Sequence, residues 1–273
     1  MKQEHIRLTI IKDSNIKIIV ILINVIIQYT YMNRIEIIAK ITESGLDLCR
    51  VNIIKDSEID ALKSNIYLEK LILDLGTNVE KPEEQPEIVN KNGGGLYIWQ
   101  YPNQFSKYLL QLNTYNIESY MEIGCRWGGT FILTTEFLLK TNSLKNSLAV
   151  DIIESPVKRY CDANDHSNFI MLNSSSDEFK EMMNDKWFDV IFIDGDHSYN
   201  GVSNDYNICK NKSNIFVFHD IVSDACQGVV RFWNELKENE NENFNFYEFT
   251  EQYDDVFKNT NKSYLGIGLA VRK

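Results

Sequence analysis

From residue 118 onward, short apolar runs of strand length alternate with segments of helical spacing, and no other feature constrains the fold of this chain as strongly. Residues 120–123, 147–153, 169–172, 188–193 and 214–218 read as strands, and residues 130–140 and 228–236 as helices. Strand and helix in alternation predict βαβ units, hence an α/β protein with a mostly parallel sheet covered on both faces. Two further runs, 244–249 and 264–271, are separated by the polar stretch 251–262 and are expected to pair as a terminal antiparallel hairpin.

At 273 residues, 44% hydrophobic and 25% charged, the chain has material for one well-buried domain plus an appendage. Its net charge of −11 argues against a phosphate-binding face, so no nucleic-acid partner is expected and a small-molecule acceptor is favoured. Five cysteines, Cys49, Cys125, Cys161, Cys209 and Cys226, stand singly, without the spacing of a zinc site or a disulfide framework, as expected of reduced thiols in the cytoplasm. The apolar run 16–29 is interrupted at Asn24 and Gln28. It is too short to span a bilayer and has no small-residue cleavage site after it, so no stable membrane insertion is expected. Residues 1–31 read as an extension, 32–90 as a small N-terminal region ending near an exposed linker at 81–86, and 91–273 as the main domain; a homo-oligomer is compatible with this reading. A glycine hinge at 93–95 runs into Tyr97, Trp99 and Tyr101, which form either a lid or a cap on the core.

The first strand ends in Glu122-Ile123-Gly124-Cys125-Arg126-Trp127-Gly128-Gly129-Thr130. Glycines there permit positive φ and close ligand approach, and the free N–H groups of the helix beginning near Thr130 favour polar groups. Alone, the segment is equally a tight strand-to-helix turn. In an open parallel sheet, ligands bind where strands stop at their carboxyl ends. The other strands stop at Asp151, at Asn173-Ser174-Ser175, at Asp194-Gly195-Asp196-His197 and at His219-Asp220. Asp151 lies where a second strand offers a carboxylate to ribose hydroxyls.

These residues resemble the class I S-adenosylmethionine-dependent methyltransferases, over about residues 118–273. The first-strand motif Glu122-x-Gly124-x-x-x-Gly128 carries the likeness. Phe188 through Tyr199, Phe218-His219-Asp220 and Gly228 through Trp233 resemble the branch that includes metal-dependent O-methyltransferases acting on sugars of natural products. The resemblance implies a Rossmann-like, seven-stranded, mostly parallel sheet. It further implies that Glu122, Gly124 and Gly128, with Thr130 in the same seat, bind the methionine part of S-adenosylmethionine, that Asp151 binds the ribose, and that Ser174 or Ser175 lies by the adenine. Two departures stand out: Cys125, Arg126 and Trp127 are bulky for this turn, and Asn173-Ser174-Ser175 lacks the acid often found there.

Chemistry of the second cluster points the same way. Asp194 and Asp220 on adjacent strands suit one hard dication such as Mg2+, which lowers the pKa of a reacting hydroxyl and orients it toward the sulfonium methyl. His197 is placed to take the proton, and His219 is a third ligand or a supporting partner. The alternatives are that Asp194 binds only the cofactor and that His197 is an ordinary loop histidine. Two of the chain's four histidines at neighbouring strand ends weigh against both. The function expected is methyl transfer to a hydroxyl of a small polar acceptor such as a sugar. The rivals are a NAD-type oxidoreductase, whose second loop glycine is here Arg126, and a non-catalytic S-adenosylmethionine-binding module.

Overall fold

The computed structural model describes residues 45–273, which form one compact unit. The extension expected at 1–31 and its apolar run lie outside the described residues. In chain order the main elements are α1 (Val51–Asp56), α2 (Asn65–Leu75), α3 (Pro102–Leu112), β1 (Ser119–Ile123), α4 (Gly129–Thr141), β2 (Asn146–Asp151), α5 (Val157–Asp162) and β3 (Ser167–Met171). They continue with α6 (Asp177–Asn184), β4 (Val190–Ile193), α7 (Tyr199–Cys209), β5 (Ile215–His219), α8 (Gln227–Asn239), β6 (Phe244–Phe249), α9 (Asp254–Thr260) and β7 (Ile267–Arg272).

The seven strands form one sheet in the order β3-β2-β1-β4-β5-β7-β6. The first five are parallel, and β7 is antiparallel to both β5 and β6. This is the Rossmann-like, mostly parallel sheet with a terminal antiparallel hairpin that the sequence predicts. Strand order reverses at β1 and β4, which opens a crevice at their carboxyl ends. Backbone bonds pin the two ends together: Gly124 N–H donates to the Val150 carbonyl and Asp194 N–H to that of Ile123, both at 2.8 Å.

Alternation along β1 sends Tyr120 into one core layer and Met121 and Ile123 into the other. The first layer is closed by α1 to α5 and the second by α6, α7 and α8. In α8 the buried residues Val229, Phe232, Trp233 and Leu236 recur at helical spacing, so a single stripe faces the sheet. Burying each such side chain is worth about 1.5–3 kcal/mol. Helix α3 opens on Pro102, whose fixed φ suits a first turn, and buries Phe105, Tyr108, Leu109 and Leu112. Because α1 and α2 share the core cluster of α4, the described part of the N-terminal region covers the sheet.

Two local readings change. Residues 81–86 are not a wholly exposed linker: Pro82–Glu84 form a 3-10 turn, Gln85 is buried, and the Glu84 carbonyl accepts the hydroxyl of buried Tyr101 at 2.5 Å. The last strand starts at Ile267 instead of residue 264. Leu265 and Gly266 take positive φ of 57° and 95°, which turns the chain and sends Tyr264 and Leu265 into a small cluster with Tyr101 and Val256.

Candidate active site

Strand polarity locates the site. A shallow cleft of about 310 Å³, lined by Tyr115, Asp189 and Arg272 among others, lies at the amino ends of β1, β4 and β5, away from every acidic strand stop. At the carboxyl ends, the glycine turn and the Asp194 loop are in contact. A Cβ on Gly124, whose φ is +86°, would stand 2.1 Å from the Asp194 carbonyl oxygen. Gly124→Ala therefore combines backbone strain with a backbone clash, and is expected to cost roughly 2–4 kcal/mol. A urea titration that left its unfolding midpoint unchanged would show that the turn is not held as described.

Asp151 closes the turn from beneath. Its Oδ2 accepts the Arg126 N–H at 2.7 Å and its Oδ1 the Ile153 N–H at 3.1 Å. Burial raises its carboxyl above the ordinary aspartate range, against the pull of the backbone N–H groups of Arg126, Ile153 and Ile152. Arg126, at φ +44°, points away from the turn: its guanidinium meets Glu80 at 2.5 Å and lies 4.6 Å over the Trp99 ring. Tyr97 stacks on Trp127 with ring centroids 4.7 Å apart. The aromatic segment thus packs on the turn through Tyr97 and Trp99, while Tyr101 belongs to the core.

Glu122 is buried, with its Oε2 2.5 Å from the Tyr120 hydroxyl. Burial pushes its carboxyl well up, the tyrosine bond opposes this, and the charges of Asp194 and Asp151 add to it. Thr130 and Ser174 are buried, and Ser175 is exposed with its hydroxyl 3.2 Å from Asn204 Nδ2. Between Gly195 and this β3 loop lies a residue that sequence reading missed, Asp205 on α7, which is 1% exposed. Neither of its oxygens has a partner of good geometry, and only Ser174 and Asn204 come near enough to ease its charge. Desolvation pushes its pKa up to about 6. A raised acid weakens the fold where it is ionised, so stability should rise as pH falls from 7 through 6 and level off below the unfolded-state value of 3.8. Asp205→Asn should raise the pH 7 unfolding midpoint, by about 3 kcal/mol at most, with the gain shrinking toward pH 4. A gain independent of pH would refute this account.

The second cluster draws together all of its expected members. Ligand atoms of Asp194, His197, His219 and Asp220 lie within 4.8 Å of one another. Asp194 Oδ1 is 2.9 Å from His219 Nδ1 and 3.1 Å from His197 Nε2. Asp220 Oδ2 is 3.6 Å from His219 Nδ1 and 3.5 Å from His197 Nδ1. Asp220 takes φ +62°, a left-handed conformation that aspartate tolerates better than most residues. Sequence reading also missed Cys226. Its Sγ donates to Asp220 Oδ2 at 3.0 Å and stands 3.3 Å from His197 Nδ1. Nothing in its position along the chain announces this; Gly228, packed without room for a Cβ against the His197 carbonyl and Tyr199 N, brings the start of α8 alongside.

Electrostatics within the cluster is one of mutual dependence. Burial works to raise Asp194, but the charge of His219 and hydrogen bonds from His197 and His219 outweigh it and hold the carboxyl far below its usual range. Burial works to lower His197, yet the bonds to Asp194 and Cys226 and the charges of Asp194 and Asp220 push it up to about 11. His219 is raised as well: burial opposes its charging, and the charges of Asp194 and Asp220 prevail. The His197 imidazolium, set between Asp194 and Asp220, supplies part of the positive charge that two adjacent carboxylates require. A dication meets the same requirement. At metal–ligand lengths of about 2.1 Å, donors at right angles on one ion stand roughly 3 Å apart, close to the separations seen. The donor set therefore fits a divalent cation, with His219, 4% exposed, facing inward and His197, whose side chain is 43% exposed, at the rim.

Residues 121–221 match the family model of a methyltransferase domain. The match runs from β1 to just past β5, and so takes in the glycine turn, Asp151 and the cluster of Asp194, His197, His219 and Asp220. No curated protein matches the chain. Among solved structures, the O-methyltransferase TomG of Streptomyces achromogenes, in complex with S-adenosylmethionine, is 15% identical, covers 64% of this chain and 81% of its own, and superposes with a TM-score of 0.47. An O-methyltransferase from Bacillus cereus bound to S-adenosylhomocysteine gives 16%, 80% and 93%, and 0.46. A putative RNA methyltransferase from Pyrococcus horikoshii gives 12%, 76% and 98%, and 0.49.

Proposed function

We propose that this protein transfers the methyl group of S-adenosylmethionine to a hydroxyl of a small polar acceptor such as a sugar, with a divalent cation and a histidine base. The observation that carries this reading is the convergence of Asp194, His197, His219 and Asp220 on the loop that touches the glycine turn. An acceptor oxygen placed there lies beside the cofactor seat.

In this reading Glu122, Gly124, Gly128 and Thr130 seat the methionine part, Asp151 the ribose, and Ser174 and Ser175 the adenine, with Asp194 at the junction of cofactor and acceptor. Asp194, His219 and Asp220 would hold the cation, which when bound supplies positive charge that lowers the pKa of the acceptor hydroxyl. His197, at the rim of the cluster, would take the hydroxyl proton on Nε2. As the oxygen bonds to the methyl carbon, the carbon–sulfur bond breaks and S-adenosylhomocysteine leaves. Cys226, beside Nδ1, holds the imidazole with Nε2 toward Asp194.

A cytoplasmic enzyme acting on small molecules, without nucleic acid, agrees with the net charge of −11 and with five free thiols. No helix among the described residues is long and apolar enough to cross a membrane. Thermal-shift titrations with S-adenosylmethionine, NAD and divalent cations test the reading, since a ligand of the native state raises the melting temperature. Stabilisation by S-adenosylmethionine is expected, with release of S-adenosylhomocysteine when polyhydroxylated acceptors are added. A shift with NAD and none with S-adenosylmethionine would sink the proposal.

A further inference from the structure

We infer that the cation site is built for a first-row transition dication instead of Mg2+, with His219 as the discriminating ligand; the inference rests on the reading that the cluster holds a cation. Two carboxylates alone would be indifferent. An imidazole nitrogen is not, because Mg2+ keeps to oxygen donors and water, whereas Fe2+, Co2+ and Zn2+ bind imidazole well.

His219 cannot withdraw to leave an all-oxygen site. It is the last residue of β5, paired on one side with Ile267 of β7, and β5 is flanked on its other side by β4. At 4% exposure it is closed off from solvent. Its Nδ1 faces Asp194 Oδ1 at 2.9 Å and Asp220 Oδ2 at 3.6 Å, so one nitrogen stands within ligand spacing of an oxygen from each carboxylate. His197 lies at the rim with Cys226 beside its Nδ1, and serves as the base.

Metal-stripped full-length protein is titrated by calorimetry with Co2+ and with Mg2+, in wild type and in His219→Asp. Wild type should bind Co2+ at least about 100-fold more tightly than Mg2+, and His219→Asp should shrink that ratio at least about tenfold. A ratio unchanged by the substitution overturns the inference. Should His219→Asp fail to fold, X-ray absorption of Co2+ bound to His197→Ala decides: imidazole scattering there comes from His219, and its absence overturns the inference. Comparable Co2+ and Mg2+ affinities, with the S-adenosylmethionine shift intact and turnover still cation-dependent, would overturn the inference and leave the proposed function standing. Failure of both cations to bind would overturn the metal site itself.

Discussion

His197→Ala is expected to lower kcat by a factor of about 10² to 10⁴, the usual worth of a positioned general base, while the calorimetric Kd for S-adenosylmethionine changes less than about twofold. The division follows from geometry. His197 contacts Asp194, Asp220 and Cys226, and none of those contacts lies within the glycine turn. Asp220→Ala should behave alike, losing turnover and keeping the cofactor. A second arm tests the electrostatics. Without a cation, Asp194 and Asp220 hold the His197 proton up to about pH 11, so a raised folded-state pKa keeps the ring charged through the whole neutral range. A chelated enzyme should therefore be silent from pH 6 to 9 and recover on adding a cation, with the S-adenosylmethionine thermal shift present throughout. Full activity in His197→Ala would remove the base assignment, and full activity under chelation would remove the cation.

The sheet was legible because its information is local and periodic. Runs such as Val190–Ile193 and Ile215–His219 are buried on both faces, and so read as uninterrupted apolar stretches. Their acidic stops could be read for the same reason: a polar residue ending such a run marks the strand's exit. Boundaries failed where conformation overrode hydrophobicity, as at Tyr264 and Leu265, whose apolar side chains extend the predicted strand although positive φ ends it earlier. What the sequence could not show was every contact made across chain distance. Arg126 meeting Glu80 and Trp99, Cys226 reaching His197, and Asp205 sealed beneath Gly195 depend on loops and helix ends from distant parts of the chain meeting in space. No spacing rule within a single segment encodes such pairs.

The role of Asp151 illustrates the consequence. From its place at the end of β2 it reads as a ribose ligand, yet its oxygens already accept N–H groups from Arg126 and Ile153. A carboxylate has roughly four acceptor positions, so both duties fit on one side chain. Asp151→Ala is therefore expected to weaken S-adenosylmethionine binding about 100-fold or more, since a hydrogen bond to a charged group is worth about 1.5–3 kcal/mol and the turn loosens as well. The two contributions separate in a double-mutant cycle that pairs the substitution with removal of a ribose hydroxyl from the ligand. If Asp151 holds the ribose, the 2′-deoxy analogue should lose affinity for wild type and almost none for Asp151→Ala. If it serves the turn alone, the two losses should add. Unaltered affinity in Asp151→Ala would rule out both roles, because a residue that neither grips the cofactor nor shapes its seat is the only kind that can be removed without cost.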